Sequence, residues 1–409
     1  MCDDKVITEL LGIQGWKAKN IKVNDLNGNI TLQLERDSGL FYECASCGQL
    51  HMFVYDHYPP RTVEDLSAWG RKTYIEFSQA RIFCTGCGGV QAEKLDWVEP
   101  YQHQTIRYQR YLATLCDFMP VADVAELTGI SKDTLYRLDK RYLKERHDNY
   151  CKEHKVIYLG IDEIAIKRGH KYAAVFYDLE RGEVIGLQKG RRRIDASRFF
   201  RRWGKDNCKN VIAVCTDLWA PYHKSVKIHL KKAVLVFDKF HVFRYLSDTI
   251  EEVRREEQRQ AEEEGKELLK GCRWIMLKND LTRKQQRKLQ EVIEENKNIA
   301  KAMLLKEAFS AFYEAETAED ALAVLEEWTE QCKESELKPF KKLAKRLNRW
   351  KDGILAYFTH KITNGMSEGI NNKIKVIKRR SYGFHDMDYF FLKILKATGF
   401  IPDMREVYP

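Results

Sequence analysis

Between residues 156 and 245 the sequence alternates short apolar runs with amphipathic segments, and this alternation restricts the possible fold more than any other feature. Apolar runs suited to buried strands occur in "KVIYLGIDEIAI", "NVIAVCTDLWAPYH" and "AVLVFDKFHVFRYL". Between them, "YAAVFYDLERGEVIGLQKG" is typical of a hairpin, while "DASRFFRRWG" and "SVKIHLKKA" are typical of helices. The order strand, strand, strand, helix, strand, helix, strand predicts a mixed sheet with helices packed against it.

Two of the predicted strands end in an acidic residue. Asp162 follows the apolar run in "LGIDE", and Asp217 follows the run in "VCTDLW". An acid directly after a buried strand is costly unless it is solvated, paired or bound to a metal ion. Each acid alone is an ordinary strand-end residue, but together they resemble neighbouring strand ends that converge on a cleft. Glu163 adjoins Asp162, and we expect it to point to the opposite face of the sheet because strand side chains alternate.

A basic helix near the C-terminus supplies a third acid. The stretch "NGMSEGINNKIKVIKRRSYGF", residues 364–384, has an apolar stripe at helical spacing: Ile370, Ile374 and Ile377. Another face carries an acid, an amide and two cations: Glu368, Asn372, Lys375 and Arg379. That face is either a solvated surface or a metal-binding carboxylate at the edge of a nucleic-acid groove. In the second case Asp162, Asp217 and Glu368 would hold two Mg²⁺ or Mn²⁺ ions for phosphoryl transfer.

Four of the eleven cysteines form two CxxC pairs, Cys44 with Cys47 and Cys84 with Cys87. Four thiolates suit a closed tetrahedral zinc site of the structural type, and the strand-like segment between the pairs predicts a zinc-ribbon-like domain. A redox pair or chance spacing is the alternative. The odd cysteine count, and a start "MCDDKVITEL" that lacks the pattern of a secretion signal, predict a cytoplasmic protein without a disulfide framework.

The stretch "VADVAELTGISKDTLYRLDKRYL", residues 121–143, has the pattern of a helix-turn-helix. A Thr-Gly-Ile turn separates the two helices, and Ser131 stands where a cap of the second helix is expected. Four side chains of that helix are available outward as candidate DNA contacts: Lys132, Thr134, Arg137 and Lys140. An ordinary helical hairpin is the alternative.

From about Tyr245 to about Arg349 the chain is highly charged and has no strand pattern. Oppositely charged residues recur at helical spacing, which predicts an all-helical insertion or arm. The formal net charge of the whole chain is +10, which is compatible with a nucleic-acid partner. No stretch approaches the roughly 18 apolar residues that a membrane span needs.

In this order, "GIDE", "TDLWAPY", "DKFHV" and "NGMSEGINNKIK" resemble the motifs of DDE transposases, and above all the bacterial insertion-sequence group called the ISL-three family. The resemblance covers nearly the whole chain. It implies an RNase H-like catalytic core with a helical insertion, preceded by a zinc-finger segment and a helix-turn-helix. It also implies a metal-dependent polynucleotidyl transferase that binds terminal inverted repeats, cleaves DNA at transposon ends and joins the 3′-ends to target DNA.

Carried onto this sequence, the resemblance assigns the catalytic triad to Asp162, Asp217 and Glu368. Asp238 and His241 in "DKFH" would be catalytic or would support the site, and a helix cap and a core hydrogen bond are their structural alternatives. Three arginines in "KGRRRIDASRFFRRW" are further candidate phosphate contacts, or else belong to a solvated hairpin edge: Arg191, Arg192 and Arg193. Trp219 either stacks on a base or anchors its loop.

We expect five segments along the chain. They are a zinc-binding domain (1–100), the helix-turn-helix domain (101–150), the first part of the core (151–247), the helical insertion (248–350) and the last part of the core with Glu368 (351–409). By analogy with the family, a homodimer or larger assembly on double-stranded DNA is expected, with the protein nucleoid-associated when bound. A catalytically silent DNA-binding regulator and a structure-selective nuclease on the same fold are the alternative functions.

Overall fold

The computed structural model describes residues 4–37, 39–153, 155–167, 171–263, 269–278, 280–380 and 384–401. Within them the chain forms two compact units, one that ends at Arg146 and one that runs from His147 to Ile401. Sheets and helices occur in both units, so the predicted multidomain α/β class is confirmed. None of the described helices is both long and apolar enough to span a bilayer.

The first unit begins with one helix followed by short strands. These elements are α1 (Asp4–Leu11), β1 (Trp16–Val23), β2 (Ile30–Arg36), β3 (Tyr42–Glu43), β4 (Leu50–His51), β5 (Asp56–His57), β6 (Arg61–Ala68), β7 (Arg71–Phe77), β8 (Ala80–Cys84) and β9 (Gly89–Ala92). They form a four-stranded sheet β1-β2-β7-β6, a hairpin β3-β4 and a three-stranded sheet β5-β8-β9. Trp16, Phe77 and Trp97 pack edge to face in the core of the larger sheet. The strands predicted between the two CxxC pairs are confirmed as β7 and β8.

Three helices follow: α2 (Ile106–Phe118), α3 (Val121–Thr128) and α4 (Lys132–Glu153). Leu112, Val124 and Leu135 are fully buried where the three helices meet. The turn between α3 and α4 passes through Gly129, whose φ of 75° is a left-handed conformation that favours glycine. Ser131 Oγ accepts the N–H of Thr134 at 3.3 Å, so the predicted cap is found. The predicted pair of helices at residues 121–143 is therefore confirmed.

The second unit is built on a five-stranded mixed sheet. Its strands are β10 (Tyr158–Lys167), β11 (Lys171–Asp178), β12 (Glu183–Lys189), β13 (Ala213–Thr216) and β14 (Val234–Phe237), in the spatial order β12-β11-β10-β13-β14. The β12–β11 and β11–β10 pairs are antiparallel, whereas β10–β13 and β13–β14 are parallel. The predicted mixed sheet is therefore confirmed.

The connections within this sheet are helical: α5 (Arg193–Trp203), α6 (Lys205–Asn210) and α7 (Ala220–His229). Helix α5 packs on the sheet through Phe199, whose ring stacks on Phe176 of β11 with 3.6 Å between the centroids. The six-residue helix α6 is absent from the predicted order, because a segment so short and polar carries no apolar periodicity.

The chain next forms a helical insertion. Its elements are α8 (Lys239–Glu263), α9 (Arg273–Leu277), α10 (Arg283–Glu295), α11 (Lys297–Ser310), a 3₁₀ helix (Ala311–Glu314), α12 (Ala318–Glu334) and α13 (Lys338–Arg349). Trp328 lies at its centre, only 1% exposed, and its Nε1 donates to the carbonyl of Leu305 at 2.8 Å. The described residues between 248 and 350 contain no strand, as the charge pattern predicts.

Three last helices return to the sheet: α14 (Lys351–His360), α15 (Ser367–Arg380) and α16 (Met387–Ala397). Helix α15 lies against β10, where Lys378 Nζ donates to the carbonyl of Ile166 at 2.7 Å. The predicted division of α15 into faces is found: Ile374 is buried, whereas the polar-face residues are exposed: Glu368, Asn372, Lys375 and Arg379. Residues 381–383, which belong to the motif quoted above, lie outside the described residues.

Candidate active site and zinc site

Three neighbouring parallel strands align three aspartates in a row. Asp217 and Asp238 directly follow β13 and β14, whereas β10 does not end at Asp162 as the sequence predicts but continues to Lys167. Ile161 of β10 pairs in register with Thr216 of β13, and Thr216 pairs with Phe237 of β14. The next residues are Asp162, Asp217 and Asp238, so each acid stands at the same level of its strand. Neighbouring strands lie about 4.8 Å apart, which makes Asp217 adjacent to both other acids. We call these residues the aspartate row.

Asp217 is the member of the row with an oxygen left free. Its Oδ1 accepts the N–H of Trp219 at 3.1 Å and the hydroxyl of Thr216 at 3.4 Å, whereas its Oδ2 has no hydrogen-bond partner among the described residues. Burial raises the pKa of Asp217 to about 6, and the Asp162 carboxylate acts in the same direction against the opposing effect of His241. A bound cation would favour the ionised form of such an acid.

Asp162 and Glu163 are consecutive in β10 but contact different partners. Asp162 Oδ1 accepts the N–H of Glu163 at 2.8 Å, and its Oδ2 lies 3.5 Å from Nδ2 of Asn371 on α15. Glu163 Oε1 instead pairs with Arg191 Nη1 at 3.2 Å. The different partners agree with the expected alternation of strand side chains. Asn371 was not among the residues singled out from the sequence, because only the seating of α15 on β10 brings it to Asp162.

Glu368 does not complete a three-carboxylate cluster in this structure. The described residues contain one group of three or more His, Cys, Asp or Glu side chains whose ligand atoms all lie within 4.8 Å of one another, and its members are cysteines. Glu368 is exposed in the first turn of α15. Asn371, one helical turn further along, is the α15 residue that reaches Asp162. The strand register places Asp162 and Asp217 next to each other, and the ligand atoms of these two acids and Glu368 do not all lie within 4.8 Å of one another.

Asp238 is 2% exposed, and both of its carboxylate oxygens are used within the protein. Oδ1 accepts the backbone N–H of Asn364 at 3.4 Å, and Oδ2 lies 3.1 Å from His241 Nδ1. The hydrogen bond to Asp238 raises the pKa of His241. Asn364 also donates from Nδ2 to the carbonyl of Ile161 at 3.0 Å, so this residue links β10 through its side chain to Asp238 through its backbone N–H. Asn364 is not among the site residues predicted from the sequence. The one sequence feature that points to it is its position just before the helix that contains Glu368.

The three arginines at the start of α5, residues 191–193, differ in their surroundings. The Arg191 guanidinium pairs with Glu163 and lies over the rings of Tyr172 at 4.4 Å and Trp219 at 5.2 Å. Trp219 Nε1 donates to the Arg191 carbonyl at 3.2 Å, so in this structure the tryptophan anchors its loop. The other two arginines, Arg192 and Arg193, are exposed, and Arg192 Nε pairs with Asp195 at 3.2 Å.

The remaining candidate DNA contacts lie on α15 and α4. Lys375 and Arg379 are exposed on α15, where Lys375 Nζ lies 3.5 Å from Oδ1 of the exposed Asn372. On α4, Lys132 and Arg137 are exposed, whereas Thr134 and Lys140 are half-buried. The Thr134 hydroxyl lies 2.9 Å from Ser131 Oγ, so this side chain takes part in the helix cap.

The two CxxC pairs converge on one point in the first unit. Their four Sγ atoms lie within 4.8 Å of one another, with Cys44 3.9 Å from Cys87 and Cys47 3.4 Å from Cys84. A tetrahedral zinc ion with Zn–S bonds of about 2.3 Å would separate its sulfurs by about 3.8 Å. Burial raises the pKa of Cys44, but the N–H groups of Cys47 and Ser46 outweigh it and bring that pKa to about 7. Both the geometry and the donor set fit a structural zinc ion.

Comparison with known proteins identifies the family. The transposase model of the ISL3 DDE family matches residues 159–394, and the model of the helix-turn-helix domain of transposase family ISL3 matches residues 93–143. The transposase for insertion sequence element IS1001 of Bordetella parapertussis is 30% identical over 404 residues, which cover 97% of this chain and 98% of that protein. The transposase for insertion sequence element IS1557 of Mycobacterium tuberculosis (strain CDC 1551 / Oshkosh) is 23% identical over 394 residues, 90% of this chain and 88% of that protein.

The matched regions contain the features found in the structure. The helix-turn-helix match contains α3 and the start of α4, and its identification implies DNA binding. The transposase match extends from β10 to α16 and includes the aspartate row, the helical insertion and Glu368. Because that match exceeds half of the chain and a relative matched over 98% of its length is 30% identical, the family resemblance seen in the sequence is confirmed. The chain belongs to the ISL3 family of transposases.

Proposed function

We propose that the second unit contains an RNase H-like core that cleaves DNA at transposon ends and joins the 3′-ends to target DNA by metal-dependent phosphoryl transfer. The observation that carries this proposal is the in-register arrangement of Asp162 and Asp217 on adjacent parallel strands, with Glu368 on the helix that contacts β10. The sheet order, antiparallel on one side of β10 and parallel on the other, supports the RNase H-like assignment.

Asp162, Asp217 and Glu368 offer the oxygen ligands that Mg²⁺ and Mn²⁺ prefer, and the free Oδ2 of Asp217 supports a cation at this point. Two such ions, when bound, would supply Lewis-acid stabilisation of the attacking and leaving oxygens. In this proposal Glu368 joins the aspartates when DNA is bound. Three exposed residues on the same face of α15 as Glu368 would contact the DNA phosphates: Asn372, Lys375 and Arg379. These contacts would move α15, and Glu368 with it, towards the aspartates.

Asp238 and His241 support this site in our proposal rather than binding the ions. Both oxygens of Asp238 are engaged, one with Asn364 and one with His241. A carboxylate with this environment fixes the end of β14 and the start of α8. His241 acts through Asp238 and, by its charge, stabilises the ionised form of Asp217.

For the first unit we propose recognition of the terminal inverted repeats by α4, with a structural zinc ion on the four paired cysteines. Lys132 and Arg137 are exposed at the start of that helix, where major-groove contacts are usual, and Thr134 and Lys140 would contribute from half-buried positions. Arg192 and Arg193 are proposed as additional phosphate contacts, whereas the Arg191 side chain serves the loop. The five-segment division and an assembly of two or more protomers complete the proposal.

The proposal is tested with Glu368→Gln, which removes a charge but keeps the shape of an exposed side chain. The intact variant should bind a plasmid that carries the DNA flanking this coding sequence as tightly as the wild type does in a mobility-shift assay. It should lose strand cleavage in Mg²⁺ or Mn²⁺, because an amide is a poor ligand for these ions. Glu326→Gln, an exposed acid of α12, is the matched control and should cleave normally.

Three outcomes would contradict the proposal. Loss of binding together with loss of cleavage would assign Glu368 to folding. Cleavage of branched or hybrid DNA without any joining of a 3′-end to a second duplex would indicate a structure-selective nuclease. Binding without nicking by the wild-type chain in either metal would indicate a silent regulator.

A further inference from the structure

The outer face of α13 in the helical insertion is a continuous cationic surface. The sequence "KPFKKLAKRLNRWK", residues 338–351, contains seven cations and no acid. Six of the cations follow the spacing of one helical face and line a shallow groove together with Trp350: Lys338, Lys341, Lys342, Lys345, Arg346 and Arg349. We call these six residues the α13 stripe.

The stripe is unneutralised in the described part of the protein. None of its six side chains forms an ion pair or hydrogen bond with another described residue, in contrast to Arg254 of the same insertion, which pairs with Glu251. Within the stripe, like charges stand four residues apart, for example Lys341 with Lys345 and Lys342 with Arg346. Such pairs weaken a helix, so the arrangement disfavours the isolated α13 and suits a polyanion that would neutralise it.

The opposite face of α13 restricts the kind of polyanion. Phe340, Leu343 and Leu347 are buried in the core of the insertion around Trp328, so α13 has no free apolar face to insert into a lipid surface. From Lys338 to Arg349 the helix rises about 16 Å, which corresponds to about five phosphates along one strand of a DNA duplex. The groove offers cations and one tryptophan but no acceptor that would read a base.

Ring contacts connect the stripe to the aspartate row within the second unit. The Arg346 guanidinium lies over the rings of Tyr245 at 4.9 Å and Trp350 at 5.8 Å. The Trp350 ring in turn packs edge to face on Phe237 with 6.2 Å between the centroids, and Phe237 directly precedes Asp238. One end of the stripe is therefore held in fixed relation to the ends of the catalytic strands.

We propose that the α13 stripe binds the sugar–phosphate backbone of duplex DNA, as a sequence-independent surface separate from the helix-turn-helix and from α15. The further step, that the duplex held there is the one processed at the aspartate row, rests on the proposed function. Binding by the stripe itself does not rest on it, because it requires neither metal ions nor cleavage.

The test removes three charges from the centre of the stripe in the intact chain, with Lys341→Gln, Lys342→Gln and Lys345→Gln combined. The matched control removes three exposed cations from α10 of the same insertion: Arg283→Gln, Lys284→Gln and Arg287→Gln. Fluorescence anisotropy with a labelled duplex of about 40 random base pairs, in EDTA, gives the association constant between about 50 and 200 mM salt. Circular dichroism checks that each variant is folded.

We expect the stripe variant to bind at least about tenfold more weakly at low salt, and the slope of log K against log salt to fall by about 2 to 3, since each lost phosphate contact removes about 0.9. The α10 control should change the slope by less than about 1, and a triple Lys→Arg stripe variant should bind like the wild type. Equal losses in the stripe variant and the control would overturn the proposal, as would an unchanged slope. Stripe-dependent capture of phosphatidylserine vesicles without a loss of DNA binding would also overturn it. The DNA-binding result holds even if Glu368→Gln proves to cleave normally, so failure of the two proposals can be told apart.

Discussion

Asn364→Ala removes a side chain that binds β10 next to Asp162 in the candidate active site. Asn364 is 2% exposed, and its Nδ2 donates to the carbonyl of Ile161, the residue before Asp162. Its backbone N–H, which the substitution retains, is bound to Asp238. The variant therefore isolates the contact to β10 while leaving the contact to β14 in place.

The expected cost follows from these contacts. A net intramolecular hydrogen bond contributes about 1 kcal/mol, and a buried carbonyl left without its donor costs about 1–3 kcal/mol. The wild-type side chain also carries a buried Oδ1 that has no partner, and its removal offsets part of the loss. We expect the free energy of unfolding to fall by about 1–3 kcal/mol. For a unit of this size each kcal/mol lowers Tm by about 2–4 °C, so the fall in Tm should be about 2–12 °C.

Calorimetry of the intact chain measures this change, and Asn372→Ala is the control. Asn372 lies on α15, just after the loop that contains Asn364, but is exposed, so its substitution should change the free energy of unfolding by less than about 0.5 kcal/mol. Cleavage well below Tm should fall in the Asn364 variant, because Asp162 loses the support of the preceding carbonyl. A Tm within about 1 °C of the wild type, together with normal cleavage, would refute the view that the Asn364 side chain supports β10 next to Asp162.

Two further predictions concern the zinc site and the helical insertion. Cys47→Ser should reduce bound zinc from about one ion to near zero, because a closed site needs all four thiolates. Elemental analysis of the purified chain measures the zinc. The control Cys208→Ser changes a buried cysteine outside the cluster and should retain the ion. Hydrogen bonding to Arg254 lowers the pKa of Glu251 below its usual 4.5, so the stability contributed by Glu251 is present above pH 4.5 and lost as the pH falls through the lowered pKa. Chemical unfolding should therefore show a gap between the wild type and Glu251→Gln that is constant at neutral pH and shrinks below about pH 4.5, and a gap that widens on acidification would contradict this assignment.

Local patterns in the sequence predict much of this structure. The apolar run before Asp217 predicts a strand that ends directly before that acid, whereas β10 continues through Asp162 to Lys167, so its predicted end is wrong. The isoleucine spacing predicts which face of α15 is buried. The CxxC spacing predicts four sulfurs that come together, since a knuckle turn needs little beyond its own residues and a glycine. In each case the signal lies within about a dozen residues and depends on periodicity or turn chemistry.

The parts that the sequence does not predict depend on contacts between distant segments. The register that aligns Asp238 with the other two acids is fixed by pairing between β13 and β14. Asn364 and Asn371 acquire their partners only when α15 is seated on β10, some 200 residues away along the chain. Arg191 has the sequence context of a surface cation, yet Glu163 and two aromatic rings bind it within the protein. Tertiary packing, rather than residue type, decides these cases.

The seating of α15 also explains why Glu368 stands apart from the aspartates. Asn371 and Lys378, which bind β10, are seven residues apart and so lie on one face of the helix. Glu368 precedes Asn371 by three residues, which places it about 60° around the helix from that face. Moving its carboxylate to Asp162 thus requires a limited rotation of α15, at the cost of two hydrogen bonds worth about 1 kcal/mol each. In the proposed function, phosphate contacts of Lys375 and Arg379 and binding of a divalent cation would offset that cost. We therefore propose that the site is held open by its own hydrogen bonds and closes when DNA is bound.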